Sequence, residues 1–167
     1  MKILLLTFIC GIHALDDKLP EITGKWYTIA LASNVTSKIQ KGGSLEIFVH
    51  KLYRNENNIL SGDFFKKEND ECTEFTVSAS QENGDQLEVE YDGQNLVTIE
   101  HLDDESAMFA LHNKKEGKNT LWMELFGRTP DLSKEKKKKF KKMCENFGIL
   151  KNQIRYLSAD DRCEKLR

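Results

Sequence analysis

The stretch "GKWYTIALAS", residues 24–33, decides the fold. Its residues alternate between two faces, Trp26, Thr28, Ala30 and Ala32 on one and Tyr27, Ile29, Leu31 and Ser33 on the other. This alternation predicts a β-strand, but neither face is clearly polar. The strand must therefore border an apolar region on both sides.

Seven further segments of alternating character follow, and turn residues separate them. They are 45–53, 59–65, 72–80, 86–91, 94–102, 106–113 and 120–127. Connections of hairpin length predict an all-β antiparallel meander, either a sandwich or a barrel. Eight such strands can close into an up-and-down barrel just wide enough to hold one small ligand. The first strand would then face the barrel interior on one side and a covering layer on the other.

The hydrophobic period changes after residue 132. Ser133 is a good N-cap, and Gly148 is a good C-terminal stop for a helix over 134–147. Within it, apolar residues recur at helical spacing and form one stripe. These residues are Phe140, Met143, Cys144 and Phe147. We predict that this one C-terminal α-helix packs on the barrel through that stripe.

Residues 1–14 have the pattern of a secretory signal peptide. Lys2 precedes an apolar run from Ile3 to Cys10, and cleavage is expected near Ala14. Nothing approaches the roughly 18 apolar residues of a membrane span, so we expect no stable membrane insertion. Residues 15–167 are predicted to form a single, secreted domain.

The charge and the cysteines exclude several functions. Cleavage removes Lys2 from the 25 basic residues and none of the 27 acidic ones, which leaves a net charge of −3 and argues against nucleic acid as a partner. The sequence has no C-x-x-C pair for zinc, and no nucleophile stands beside a base. We therefore predict no metal, no cofactor and no enzymatic activity.

Motifs at both ends of the strand series resemble the lipocalin family. Gly24-x-Trp26 matches its first motif, and Gly127-Arg128 matches its third. The second motif, normally Thr-Asp-Tyr, is replaced by Leu102-Asp103-Asp104. Similarity to the urinary-protein, pheromone- and odorant-carrier and mammalian-allergen group covers nearly the whole mature chain. It is carried by "YDG" at 91–93, "LFGRTPDLS" at 125–133, "CENFGI" at 144–149 and "DRC" at 161–163.

The resemblance implies structural roles for several residues. Trp26, next to Gly24, would lie across the closed end of the barrel with Arg128 above its indole, as a cation–π contact. Cys72 would form a disulfide with Cys163. Cys144 would then remain a free thiol on the buried stripe of the helix.

Alternation also predicts which residues face the interior, since every second residue of a strand points inward. The apolar faces contain Leu45, Ile47 and Val49; Leu60 and Phe64; Phe75 and Val77; Val89 and Tyr91; Val97; and Phe109 and Leu111, with Gly62, Leu87 and Ile99 on the same faces. Apart from Gly62, Leu87 and Ile99, which are predicted only to face the interior, these are the predicted ligand-binding residues of the second to seventh strands.

The eighth strand is ambiguous. Apolarity alone would turn Leu121, Met123 and Leu125 inward. The resemblance instead implies an inward face of Trp122, Glu124 and Phe126, and we adopt that face for the ligand-binding site. Glu124 would then be the main polar group of the pocket, with Tyr91 as the other.

These features predict a secreted carrier of a small hydrophobic ligand such as an odorant or pheromone. The alternative is a secreted protein signal that needs no bound small molecule, with a possible receptor as its partner. The chain would be a monomer or a weak homodimer. In addition, Asn34-Val35-Thr36 is a sequon for N-linked glycosylation, in the loop after the first strand.

Overall fold

The computed structural model describes residues 21–84 and 86–167, and the predicted signal segment 1–14 lies outside them. The described residues form ten strands and the helix α1 (Lys134–Asn146). The strands are β1 (Gly24–Lys25), β2 (Tyr27–Ser33), β3 (Ile47–Arg54), β4 (Leu60–Glu68), β5 (Glu71–Asn83), β6 (Gln86–Glu90), β7 (Gln94–Leu102), β8 (Ser106–Lys115), β9 (Lys118–Gly127) and β10 (Ile154–Tyr156). Short 3₁₀ turns occupy Thr36–Lys38, Lys151–Gln153 and Glu164–Leu166.

All strand pairs are antiparallel, and the strand order is β1-β3-β4-β5-β6-β7-β8-β9-β2-β10. The stretch 24–33 closes this sheet on itself, because β1 pairs with β3 while β2 pairs with β9. The predicted eight-stranded up-and-down barrel is thus confirmed, with two differences. The predicted first strand is divided at Trp26 into β1 and β2. The Trp26 N–H donates to the His50 carbonyl. In addition, β10 extends the sheet beyond β2.

The two faces of β2 are both buried, as its sequence predicted. Leu31 belongs to the core inside the barrel, whereas Ala30 and Ala32 belong to a second apolar cluster outside it. That outer cluster also contains Phe140 and Cys144 of α1. The helix is therefore the covering layer that keeps the outer face of β2 dry.

Trp26 and Arg128 close one end of the barrel. The indole is fully buried and donates to the Ile22 carbonyl, at 2.7 Å. The Arg128 guanidinium lies 3.6 Å from the ring centroid and also donates to the carbonyl of Lys25. Gly24 has a φ of +109°, and a Cβ there would lie 3.1 Å from the same guanidinium. The Gly-x-Trp motif therefore needs its glycine both for the backbone angle and for the space.

The helix begins and ends as its sequence predicted, to within one residue. The Ser133 side chain accepts from the backbone N–H of Lys136, and Gly148 follows the last turn with a φ of +83°. Lys136 also reaches Asp103, at 2.7 Å. Asp103 organises the turn between β7 and β8 by accepting from the N–H groups of Glu105 and Ser106. This turn is where the second motif departs from the family pattern.

The C-terminal tail is bound to the barrel by a disulfide between Cys72 and Cys163, which are 91 residues apart in sequence. Beside it, the buried Arg162 donates to the Thr28 carbonyl. Cys144 is a fully buried free thiol, and burial raises its pKa to about 12. Among the described residues, no helix has both the length and the apolarity to cross a membrane.

We expect removal of the disulfide to destabilise the barrel strongly. The variant Cys72→Ser/Cys163→Ser frees a loop of 91 residues in the unfolded chain. Its free energy of unfolding should fall by about 3–5 kcal/mol, measured by denaturant titration.

Alkylation of the non-reduced wild-type chain provides the control. Cys144 should be labelled only after unfolding, because its thiol is buried and protonated. Labelling of Cys72 or Cys163 without a reductant would contradict the pairing.

Candidate functional site

The barrel encloses a cavity of about 90 Å³. Its walls are almost entirely apolar. Twelve of the predicted ligand-binding residues line it: Ile47, Leu60, Phe64, Val77, Val89, Tyr91, Val97, Phe109, Leu111, Trp122, Glu124 and Phe126. Contact of these residues with a ligand remains a prediction.

Three of the predicted ligand-binding residues, Leu45, Val49 and Phe75, do not line the cavity. Leu45 precedes β3, and its N–H donates to the Lys38 carbonyl in a turn, where strand alternation does not apply. Val49 is fully buried in the apolar core and borders no open space. Phe75 stacks on Phe64 and Tyr91, with ring centroids 6.0 Å and 5.5 Å away. Because Phe75 is also the cross-strand partner of Phe64, it packs on the inner face of the sheet beside residues that line the cavity.

Five lining residues were missed by the sequence analysis. They are Ile22, Leu52, Ser61, Ala79 and Asn95. The pairing register of β3 shifts between Val49 and Lys51, and this bulge turns Leu52 inward. Asn95 is two residues from Val97 and shares its face, so strict alternation would have found it. The sequence analysis left Asn95 out because it selected apolar residues only.

Strand β9 turns Trp122, Glu124 and Phe126 toward the cavity. Its other face, with Met123 and Leu125, lies in the outer apolar cluster with α1. The outer face of β9 is more uniformly apolar than the inner face because α1 packs on it. The inner face therefore carries the one carboxyl group of this segment, that of Glu124.

Glu124 is 5% exposed, and its Oε1 atom has no hydrogen-bond partner among the described residues. Burial raises the pKa of the Glu124 carboxyl to about 8. The group is therefore mostly a neutral acid at pH 7, and it can both donate and accept a hydrogen bond.

The other polar groups at the cavity already have partners. The Tyr91 hydroxyl donates to the Ser44 carbonyl at 2.7 Å, and burial raises the pKa of Tyr91 so that it stays protonated. Asn95 accepts from the Trp122 indole N–H at 3.1 Å and donates to the Tyr91 carbonyl at 2.7 Å. Glu124 is consequently the lining group with unused hydrogen-bonding capacity.

No group of His, Cys, Asp and Glu side chains within residues 21–84 and 86–167 is arranged to hold a metal ion. The arrangement that the chain does present is an apolar cavity with one buried acid. Such a cavity can hold an uncharged organic molecule and orient it through a single polar group.

Residues 23–161 match the profile of the lipocalin / cytosolic fatty-acid binding protein family. Mouse major urinary protein 5 is 42% identical over 149 residues, which cover 88% of this chain and 82% of that protein. Mouse major urinary protein 4 is 40% identical, over 100% of this chain and 99% of its own.

Solved structures show the same likeness. The possum milk whey lipocalin trichosurin, with bound 4-ethylphenol, has a TM-score of 0.77 at 33% identity, covering 83% of this chain and 98% of its own. The odorant-binding protein OBP1 has a TM-score of 0.80 at 25% identity, and the match covers 87% of this chain and 96% of that protein.

The buried carboxyl predicts a distinctive pH dependence of stability. Because the folded pKa of Glu124 lies above its ordinary value of 4.5, the native state binds more protons than the unfolded state between about pH 4.5 and 8. This contribution is fully present below the unfolded pKa and is lost as the pH rises through about 8. The variant Glu124→Gln keeps the shape and removes the titration.

The difference in free energy of unfolding between wild type and Glu124→Gln should therefore change across pH 5–8. Wild type should lose stability relative to the variant by on the order of 1 kcal/mol per pH unit, measured by denaturant titration. A difference that is constant with pH would mean that the carboxyl is solvated and titrates normally.

Proposed function

Because the chain belongs to the lipocalin family, we propose that it is a secreted carrier of a small, mostly apolar ligand held inside the barrel. The observation that carries this proposal is the apolar cavity inside the barrel with one unpartnered acid, Glu124. The expectation that the chain is not an enzyme rests on the same membership, and one solved structure that it resembles is an odorant-binding protein.

The size of the cavity restricts the ligand. At about 90 Å³ it is smaller than the roughly 150 Å³ cavity that binds benzene in an engineered protein, and far smaller than drug-sized pockets. A compact molecule of few heavy atoms can be accommodated by small shifts of side chains. A long-chain fatty acid would need the core to be rebuilt. Trichosurin, whose solved structure holds 4-ethylphenol, supports this size class.

The polar anchor restricts the ligand further. An apolar molecule gains affinity from buried area, whereas a hydroxyl or carbonyl group would also satisfy Glu124. A ligand with one polar end and an apolar body complements this cavity. We therefore propose small phenols, alcohols and ketones as the ligand class.

Secretion is supported by two observations. The sequence of residues 1–14 has the pattern of a signal peptide, and the mouse relatives are named for urine. The alternative function, a protein signal independent of a bound molecule, stays open. It predicts that a receptor responds to the chain with an empty cavity.

Binding of 4-ethylphenol should depend on Glu124. The variant Glu124→Leu removes the hydrogen bond and keeps the apolar volume, so its affinity for 4-ethylphenol should fall by about three- to tenfold. Its affinity for 4-ethyltoluene, which lacks the hydroxyl, should be equal or higher. Isothermal titration calorimetry measures both.

The neighbouring variant Met123→Leu is the matched control. Met123 is fully buried under α1, and a change that conserves volume there should leave both affinities nearly unchanged. If Glu124→Leu weakened both ligands equally, the polar group of the ligand would not contact Glu124.

Ligand size should be limited by the aromatic wall. Wild type should bind 4-ethylphenol more tightly than palmitate, because a long chain would need the core to be rebuilt. The variant Phe109→Ala enlarges the cavity and should improve binding of longer alcohols such as 1-decanol, at a cost in stability of about 3–5 kcal/mol. Tight palmitate binding by wild type in competition assays would contradict the size argument.

A further inference from the structure

Asn34 lies at the end of a row of residues on the outside of the barrel. Cross-strand pairs join Glu88 to Leu96, Leu96 to His112, and His112 to Leu121. Asn34 continues the row, because its backbone N–H donates to the Leu121 carbonyl. The row follows a groove of about 610 Å³ that crosses four strands.

The side chain of Asn34 is oriented by β9. Its Oδ1 atom accepts from the Leu121 N–H, at 3.0 Å. The Nδ2 atom has no hydrogen-bond partner among residues 21–84 and 86–167, and Asn34 is exposed. The amide nitrogen, which is the atom that N-linked glycosylation modifies, therefore has no hydrogen bond within the described residues that modification would break.

A group that bound in this groove would contact both apolar and polar side chains. Leu96 is 37% exposed there. Gln94, His112 and Asn119 line the same groove with hydrogen-bonding groups. Sugar rings carry apolar C–H faces and hydroxyl groups, and so they match both kinds of neighbour. From Asn34 to Leu96 the row spans three strand spacings, about 14 Å, which the first few sugars of a glycan can cover.

We propose that Asn34 carries an N-linked glycan whose first sugars lie along this row and cover Leu96. In the reaction, Nδ2 of Asn34 forms a bond to C1 of the first sugar. The bond from C1 to the diphosphate of a lipid-linked oligosaccharide donor breaks, lipid diphosphate leaves, and Nδ2 loses one proton. The proposal rests on the secretion that is part of the proposed function, since that donor is found in the secretory pathway, but it does not depend on a ligand.

The test of the modification uses the full chain expressed in mammalian cells. Protein from the medium should lose the mass of one glycan on treatment with peptide N-glycosidase, with Asn34 converted to aspartate. The variant Thr36→Ala destroys the sequon and should abolish the mass loss, whereas Thr36→Ser preserves the sequon and should retain it. An unmodified Asn34 in secreted protein would overturn the glycan proposal but not the proposed secretion. Unmodified protein retained in the cytosol would overturn both.

The position of the glycan is tested by the reactivity of His112, which is exposed in the groove. Diethyl pyrocarbonate should modify His112 several-fold more slowly before deglycosylation than after it, while His101, outside the groove, should react equally. The variant Asn34→Asp keeps the Oδ1 acceptor for Leu121 and should react at the rate of the deglycosylated chain. Equal rates at His112 with and without the glycan would overturn the covering of the groove.

Discussion

One short stretch of chain has to pair with two different strands. Residues 24 and 25 bond to β3, and the residues after Trp26 bond to β9, so this segment joins the two ends of the sheet. Without it, β3 and β9 would both be open edges, and there would be no interior. The break between the two pairings falls at Trp26, where the indole, Arg128 and the Gly24 backbone fill the end of the barrel. The cavity exists because this closure is complete.

Closure also explains the chemistry of the interior. An apolar cavity disfavours charge, and the acid that β9 places there is mostly neutral near pH 7 as a result. The remaining polar side chains of the wall already have hydrogen-bond partners, as Asn95 has in Trp122. The outer face of β9 is covered by α1, so the orientation of Glu124 is set by the helix on the opposite side of the strand. Selectivity inside the barrel is thus partly decided by packing outside it.

The sequence predicted the fold through two periodicities and through motifs at the ends of the strand series. Alternation found the inward faces wherever a strand was regular, as at Val89 and Val97. It failed where the backbone departs from regular pairing: the bulge at His50 turned Leu52 inward, and Leu45 is not in a strand at all. It also failed for polar residues, since Asn95 did not look like a cavity residue. The orientation of β9 could not be derived from apolarity, because both of its faces are buried and only the position of the helix separates them.

The pairing of β2 with β9 also has a consequence for how the chain folds. Thr28 and Phe126, which are partners in that ladder, lie roughly 100 residues apart in sequence. Apart from the added pairing of β10 with β2, the most distant pairing in the sheet is therefore the one that encloses the core. Hairpins such as β7–β8 and β8–β9 can form locally and early, but the barrel cannot close until nearly the whole chain is available. High contact order of this kind makes folding slow, and it leaves two exposed strand edges during synthesis. The same closure that shields the ligand from water exposes the nascent chain to aggregation until its last barrel strand has been made.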